Sequence, residues 1–174
     1  MIILDRDGVI NEDSPHFIKN PAEWHPIPGS LEAIAALNRA GHQVVVATNQ
    51  SGIGRGLFTE ADLQQIHDKM QRALAEVGGH LDGIFYCPHH PDAGCDCRKP
   101  KPGLLHQIVA QFNIDLRQAV LIGDDERDIV CAQAVECPAI LVTTGKGKNH
   151  VEKAASWNHV RVFKNLAEAA HEFI

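Results

Sequence analysis

Short apolar runs alternate with helical patterns along this 174-residue chain, and that alternation limits the possible folds more than any other feature. Residues 44–47, Val-Val-Val-Ala, contain no polar side chain, which is typical of a strand buried on both faces of a parallel sheet. Because parallel strands need long crossover connections, the pattern predicts an α/β fold: a doubly wound parallel sheet with helices on both faces. Strands are predicted at residues 2–4, 44–47, 84–86, 119–122 and 139–142, and helices at 30–41, 59–79, 104–112, 124–134 and 166–173.

Capping residues mark the ends of the first two helices. Ser30 is predicted to cap the first helix and Gly41 to end it, while Thr59 and Asp62 form a capping box for the second. Ligands of a doubly wound sheet bind in the loops outside the carboxyl ends of the strands. The longest irregular stretches are residues 11–29, 49–58, 87–102 and 143–150.

Composition limits the classes of function. The chain is long enough for one well-packed core, so we expect residues 1–174 to form a single domain. Its formal net charge of -6 disfavours a nucleic-acid surface, which normally carries a basic field. The sequence contains neither an apolar run of about 18 residues nor a signal-peptide pattern at its start. We therefore expect a cytoplasmic protein that binds neither nucleic acid nor membrane.

Reactive side chains follow three of the predicted strands. Asp5 and Asp7 come after the first strand, Thr48 ends the second, and Asp124 follows the strand at 119–122. Lys99 stands at the entry to a later helix. A single aspartate at a strand end is most often a turn or capping residue. Because the carboxyl ends of parallel strands meet at one edge, the joint pattern predicts one site.

These residue types suit phosphoryl transfer. An aspartate nucleophile can accept the phosphoryl group and then pass it to water. Its carboxylate approaches an anionic phosphate, so it needs positive charge nearby, from a lysine and from a divalent cation shared with a second carboxylate. The reaction also needs a general acid/base and donors for the phosphate oxygens. The residues at the strand ends supply each of these groups.

In this pattern the chain resembles the haloacid dehalogenase superfamily of phosphatases over nearly its whole length. The resemblance implies that Asp5 is the nucleophile and Asp7 the general acid/base, and that Thr48 binds phosphate. It implies that Lys99 neutralises the nucleophile and that Mg²⁺ is held by Asp5, Asp124 and the main-chain carbonyl of Asp7. No stretch of the chain is long enough for the large cap domain that many relatives carry.

A cluster of cysteines precedes Lys99. Cys87, His89, Cys95 and Cys97 form C-x-H followed by C-x-C, a ligand set that suits tetrahedral Zn²⁺. Four protein ligands leave no open position, so we predict a structural zinc site in residues 87–102, here called the cysteine loop. His90 is an alternative to His89 as the fourth ligand.

The resemblance narrows to one family of phosphatases. Residues 4–11 (LDRDGVIN), 48–53 (TNQSGI), 55–56 (RG) and 87–91 (CPHHP) are similar to the D-glycero-D-manno-heptose 1,7-bisphosphate 7-phosphatases. That resemblance implies hydrolysis of the C7 phosphate of a small sugar bisphosphate, in the supply of activated heptose for bacterial surface glycans, by an enzyme expected to be a monomer. The alternatives are a histidinol-phosphate phosphatase, which typically has Asp where Ser51 stands, or another small phosphomonoesterase. A more remote one is a non-catalytic zinc-binding module.

The family resemblance also implies the substrate contacts. The second phosphate of a bisphosphate is expected to meet Arg98, Arg55 or Lys101. Asp125 departs from the family, which often has Lys there, and we expect it to enter the metal shell or to touch a sugar hydroxyl. Asp128 is expected to orient the loop from the first helical turn. The predicted substrate contacts are Asp13, Ser14, Pro15, His16, Thr48, Asn49, Gln50, Ser51, Arg98, Lys99 and Asp125.

Overall fold

One parallel sheet runs through the molecule. The computed structural model describes residues 1–174, and its six strands lie in the order β3-β2-β1-β4-β5-β6. Every neighbouring pair is parallel, so the predicted doubly wound α/β fold is confirmed. The strands are β1 (Ile2–Leu4), β2 (Val44–Asn49), β3 (Gly83–Cys87), β4 (Val120–Gly123), β5 (Ala139–Val142) and β6 (Arg161–Phe163).

Helices cover both faces of this sheet. Thr59 and Asp62 form the predicted capping box at the second helix. Ser30, in contrast, is the first helical residue and not its cap: Gly29 takes the cap position with φ +82°, and the Ser30 hydroxyl donates to the Ile10 carbonyl at 2.6 Å. The helices are α1 (Ser30–Arg39), α2 (Glu60–Glu76), α3 (Gly103–Phe112), α4 (Glu126–Gln133), α5 (Val151–Ala154) and α6 (Leu166–Ala170). None of them is long and apolar enough to cross a bilayer.

The core has two layers because successive strand residues point to opposite faces. Ile2 and Leu4 of β1 belong to the layer beneath α1, α2 and α6, while Ile3 belongs to the layer beneath α3 and α4. All three side chains are essentially inaccessible to solvent. This double burial explains why the strands read as uninterrupted apolar runs.

The chain changes direction across the sheet at β1. From β1 it crosses to β2 and β3 on one side, and it then returns to β4, β5 and β6 on the other. The loops that leave β1 and β4 therefore diverge and open a crevice at their carboxyl ends. The end of β2 and the loops after β1, β3 and β4 carry the predicted reactive residues and surround that crevice.

Candidate active site

The crevice forms a polar cavity of about 330 Å³. Ten of the eleven predicted substrate contacts line it; His16 is exposed and lies outside the lining. Only two of the lining residues are hydrophobic, so the cavity suits a charged, hydrated ligand. The lining residues are Asp5, Asp7, Asp13, Ser14, Pro15, Phe17, Ile18, Thr48, Asn49, Gln50, Ser51, Arg55, Arg98, Lys99, Asp124, Asp125, Arg127, Asp128 and Lys146.

Lys99 is buried between two carboxylates. Its Nζ lies 3.2 Å from Asp5 Oδ1 and 2.5 Å from Asp128 Oδ1, and it donates to the Ala47 carbonyl at 2.7 Å. Burial lowers the pKa of Lys99, but Asp128 and Asp5 outweigh it and raise that pKa above the usual range of a lysine. Lys99 therefore stays a cation beside the predicted nucleophile.

Asp5, Asp124 and Asp128 place carboxylate oxygens within 4.8 Å of one another. Burial raises the pKa of Asp5 to about 6, although the charge of Lys99 acts to lower it. Burial, and to a smaller extent the charge of Asp5, raises the pKa of Asp124 to about 8. Three buried carboxylates oppose each other's ionisation, and a divalent cation would relieve that repulsion. The donor set therefore fits Mg²⁺, which prefers oxygen ligands.

Asp128 differs from the other two carboxylates because protein groups use both of its oxygens. Oδ1 accepts from Lys99, and Oδ2 accepts from the backbone N–H of Asp125 at 3.1 Å. The same residues form a capping box at the start of α4. Asp128 thus anchors Lys99 and orients the loop, as expected, while Asp5 and Asp124 keep oxygens available for a cation.

The Asp7 carboxylate is held by four donors. Its Oδ1 accepts from Arg6 Nε at 3.0 Å, from Arg6 Nη2 at 2.7 Å and from Asn11 Nδ2 at 2.9 Å, whereas Oδ2 accepts only from Gln50 Nε2, at 2.9 Å. Burial raises the pKa of Asp7, but the Arg6 charge and these hydrogen bonds outweigh it and hold that pKa below its usual value. Asp7 is therefore ionised in the free site.

Asn49 and Gln50, at the end of β2, line the cavity and also hold neighbouring site residues in place. Gln50 Nε2 donates both to Asp7 and to Thr48 Oγ1, at 3.1 Å. Asn49 pairs with the backbone of Lys99 in both directions, at 3.1 and 3.0 Å. The side chains of Asn49 and Gln50 thus set the positions of the predicted acid/base, the hydroxyl and the lysine.

The loop after β5 joins two of the site's segments, a role that the sequence did not reveal. Thr144 Oγ1 donates to the Gly8 carbonyl at 2.6 Å, and the backbone N–H of Lys146 donates to Asp124 Oδ2 at 2.8 Å. Between them Gly145 has φ +56° and packs against Gly8 and Asp124. The only available signal was position: Thr-Thr-Gly-Lys-Gly follows a strand at the ligand-binding edge of the sheet.

Cations surround the outer part of the cavity. Lys146 lies 3.5 Å from Asp13 and 3.9 Å from Asp125, and Arg127 pairs with Asp125 at 2.8 Å. The Asp125 carboxylate is engaged by these ion pairs and by its capping hydrogen bond at α4. It lies outside the cluster of three carboxylates. Arg127 and Lys146 were not among the predicted contacts.

Arg98 and Arg55 have no carboxylate partner. Arg98 Nη1 is buried without a hydrogen bond, and burial and the charges of Arg127 and Arg55 lower the pKa of Arg98. Arg55 lies 5.6 Å above the Phe17 ring. Neighbouring guanidiniums that repel one another favour an anionic ligand between them. Lys101, the third candidate, is half exposed, pairs with Asp96 and lies outside the lining.

The cysteine loop brings its four expected ligand atoms together. Cys87 Sγ lies 2.9 Å from Cys97 Sγ, 3.6 Å from Cys95 Sγ and 3.5 Å from His89 Nδ1. Tetrahedral zinc spaces such atoms by roughly 3.5–3.8 Å, and two of these three distances agree with that spacing while the distance between Cys87 and Cys97 is shorter. Three thiols and one imidazole nitrogen converging on one point are a donor set that suits the metal. His90 is directed elsewhere, since its Nδ1 accepts from the backbone of Asp92.

The chain is similar to known phosphatases over its whole length. A family model described as HAD-hydrolase-like matches residues 96–169. The D-glycero-beta-D-manno-heptose-1,7-bisphosphate 7-phosphatase of Bordetella bronchiseptica is 49% identical over 174 residues, which are all of this chain and 97% of the relative. The protein of the same name from Pseudomonas putida is also 49% identical, over 100% of this chain and 99% of that relative.

The chain belongs to the heptose-1,7-bisphosphate 7-phosphatase family.

Solved structures of this family share the fold. The D,D-heptose 1,7-bisphosphate phosphatase of B. bronchiseptica, complexed with magnesium and phosphate, superposes with a TM-score of 0.95 at 50% identity, covering 98% of this chain and 96% of that one. The enzyme from Burkholderia thailandensis gives a TM-score of 0.78 at 42% identity, over 99% and 96% of the two chains. The resemblance to haloacid dehalogenase phosphatases of this family is confirmed.

Proposed function

We propose that this chain hydrolyses the C7 phosphate of D-glycero-β-D-manno-heptose 1,7-bisphosphate. The products are D-glycero-β-D-manno-heptose 1-phosphate and inorganic phosphate. One observation carries the proposal: a single cavity has a lysine and a carboxylate cluster at its base and guanidiniums without carboxylate partners at its wall. Such a site suits a ligand with two phosphates. The names of the two relatives described above support the sugar and its β anomer.

Phosphoryl transfer begins at Asp5. The Asp5 carboxylate attacks phosphorus while the bond between phosphorus and the C7 oxygen breaks, and Asp7 gives its proton to that oxygen. Asp5 Oδ1 already accepts the backbone N–H of Arg6 at 2.7 Å and contacts Lys99, so we assign the attack to Oδ2. A phosphate dianion beside Asp7 opposes its ionisation, and so favours the protonated form that this half-reaction needs.

Water completes the reaction. Asp7, ionised again, takes a proton from water as the water oxygen attacks phosphorus, and the bond from phosphorus to Asp5 breaks. The donors around Asp7 favour its ionised form in this half-reaction. Lys99 and the Thr48 hydroxyl hold phosphate oxygens throughout. Mg²⁺, bound by Asp5, Asp124 and the predicted carbonyl of Asp7, supplies charge that draws the phosphate to the nucleophile.

Steady-state kinetics with three substrates test the function. We expect Mg²⁺-dependent release of phosphate, fastest with the β anomer of the heptose bisphosphate, slower with the α anomer and slowest with histidinol phosphate. The ammonium of histidinol phosphate would face Arg55 and Arg98, which repel it. A preference for histidinol phosphate would contradict the substrate, and no turnover of any ester would favour a binding module instead.

Asp5→Asn tests the nucleophile. The change keeps the shape of the side chain but removes the carboxylate, so we expect phosphate release to fall by about 10³-fold or more with the fold intact. Circular dichroism and thermal unfolding check the fold. Undiminished turnover in this variant would contradict the assigned role of Asp5.

The remaining features of the proposal concern the whole chain. We assign a structural Zn²⁺ to Cys87, His89, Cys95 and Cys97, on the support of the four converging ligand atoms. We propose that residues 1–174 form one domain and act as a cytoplasmic monomer without nucleic-acid or membrane partners. Metal analysis, light scattering and cell fractionation test these points separately.

A further inference from the structure

A buried arginine and histidine lie behind the proposed acid/base. Arg6 is inaccessible to solvent, and His67, on α2, is nearly so. Arg6 Nη1 lies 3.3 Å from His67 Nε2. Because a guanidinium has only donors, His67 Nε2 must be the accepting nitrogen, and its neutral ring carries the proton on Nδ1. Burial, followed by the charge of Arg6, lowers the pKa of His67 to about 3, so the ring stays neutral.

The Nε/Nη2 edge of the Arg6 guanidinium meets Asp7. Nε and Nη2 both donate to Oδ1, at 3.0 and 2.7 Å. His67 on one side and Asp7 on the other therefore fix the plane of the guanidinium. Asp7 Oδ1 receives three donors in total and Oδ2 only one, from Gln50. The cavity-facing carboxylate thus has one oxygen that is saturated and one that remains free to exchange a proton.

We propose that His67 is a positioning residue for the phosphatase reaction: acting through Arg6, it anchors Asp7 Oδ1 and leaves Oδ2 as the oxygen that exchanges the proton. The inference rests on the proposed function of Asp7. Without the acceptor at His67, the buried Nη1 is left unpaired and the guanidinium is free to turn away from Asp7. Misplacing an acid/base group slows the proton transfer far more than it weakens substrate binding.

The leaving group distinguishes positioning of an acid from a general loss of structure. A sugar alkoxide needs a proton as it departs, whereas 4-nitrophenolate is stable enough to leave without one. The ratio kcat/KM reports every step up to that departure, and it does not include the later attack of water. A fault in the proton donor therefore lowers kcat/KM for a sugar phosphate selectively.

His67→Leu and His67→Gln form the test pair. Leucine removes the acceptor, and we expect about a 10- to 100-fold loss of kcat/KM on the heptose bisphosphate and less than about a threefold loss on 4-nitrophenyl phosphate. The Gln Oε1 reaches the position of Nε2 and is expected to restore kcat/KM on the sugar phosphate to within about threefold. His42→Leu is the control, because its ring contacts the Phe173 carbonyl, away from the site.

Several outcomes would overturn the inference. Equal losses on both substrates, no loss on either, or no recovery with His67→Gln each contradict a positioning role. If His67→Leu does not fold, His67→Asn takes its place. The Asn Oδ1 reaches only the position of Nδ1 and not that of Nε2, so it cannot accept from Arg6. We then expect His67→Asn to show the selective loss on the sugar phosphate and His67→Gln to lack it. If the wild-type protein does not hydrolyse the heptose bisphosphate, the proposed function is contradicted but the positioning role of His67 is not. The His67 variants are then compared on a hexose 6-phosphate, which also has an alkoxide leaving group.

Discussion

Gly145 is a residue at which a single added carbon would collide with the site. A Cβ there would overlap Asp124 Oδ2 and lie 2.7 Å from Gly8 Cα. We expect Gly145→Ala to displace Asp124 and to raise the Mg²⁺ concentration needed for half-maximal activity by about 10-fold or more. Activity titrated against Mg²⁺ measures this change.

Gly41→Ala provides the matched control for Gly145→Ala. Gly41 also has a positive φ, +87°, but nothing lies within 4 Å of its Cβ position. The control therefore imposes the backbone strain of alanine in the left-handed region, about 1–3 kcal/mol, without the collision. An equal change in Mg²⁺ requirement for both variants would mean that strain alone, and not contact with Asp124, is responsible.

Arg98→Gln separates the two phosphates of the substrate. Arg98 has no carboxylate partner, so we expect its loss to raise KM for the bisphosphate by about 10-fold while KM for heptose 7-phosphate stays within about twofold. Lys101→Gln, three residues further along the same loop and about half exposed, should leave both values unchanged. A similar rise for both substrates would place Arg98 at the reacting phosphate instead.

Residue types at strand ends could be predicted, but their supporting contacts could not. Asp5 and Asp124 stood out because a carboxylate directly after a buried strand is exposed to the crevice. His67 lies in the middle of a helix and looks like any core histidine, since its contact with Arg6 spans 61 positions. The second role of Asp128, holding Lys99, was equally hidden behind its capping pattern.

At the scale of elements, burial decides what the sequence reveals. The strands buried on both faces were predicted from their apolar runs, whereas β6 was missed because it is a three-residue edge strand with two exposed residues. The cap of α1 was misassigned because a glycine can take the left-handed cap position, which left the Ser30 hydroxyl free to bond Ile10. Pattern alone does not distinguish these two uses of serine.

We expect the cysteine loop to depend on the proposed zinc for its stability. Cys95→Ser should abolish zinc binding and lower the melting temperature by about 5 °C or more, because the loop is largely exposed and has little core of its own. Activity should fall too, since Cys97 directly precedes Arg98 and Lys99. Zinc content and thermal unfolding are measured together.

Cys137→Ser is the control for the cysteine loop. Cys137 is buried in the core beneath α4 and lies outside the metal-ligand group. We expect it to keep one zinc per chain even where it loses some stability. Unchanged melting after verified loss of zinc from Cys95→Ser would contradict a structural role for the metal.

At the scale of the whole molecule, we expect pH and Mg²⁺ to act on stability through the same carboxylates. Asp5 and Asp124 have folded-state pKa values of about 6 and about 8, against 3.8 for an ordinary Asp. Their neutral forms stabilise the metal-free fold at low pH, and this contribution is lost as pH rises through those values. His67 acts in the opposite direction: its pKa is lowered from 6.5 to about 3, so it adds stability as pH rises from about 3 to about 6.5.

The difference in melting temperature with and without Mg²⁺ reports the contribution of the carboxylates, because the contribution of His67 is the same under the two conditions and cancels. Mg²⁺ binds the ionised forms, so we expect the difference to grow from near zero at about pH 5 to about 5–10 °C at about pH 8.5, with Mg²⁺ near 100 times its Kd. Thermal unfolding across that range measures it, with no chelator present so that zinc stays bound. In Asp124→Asn the growth with pH should largely disappear, and a difference that is constant with pH in the wild-type protein would contradict a cation held by these two carboxylates.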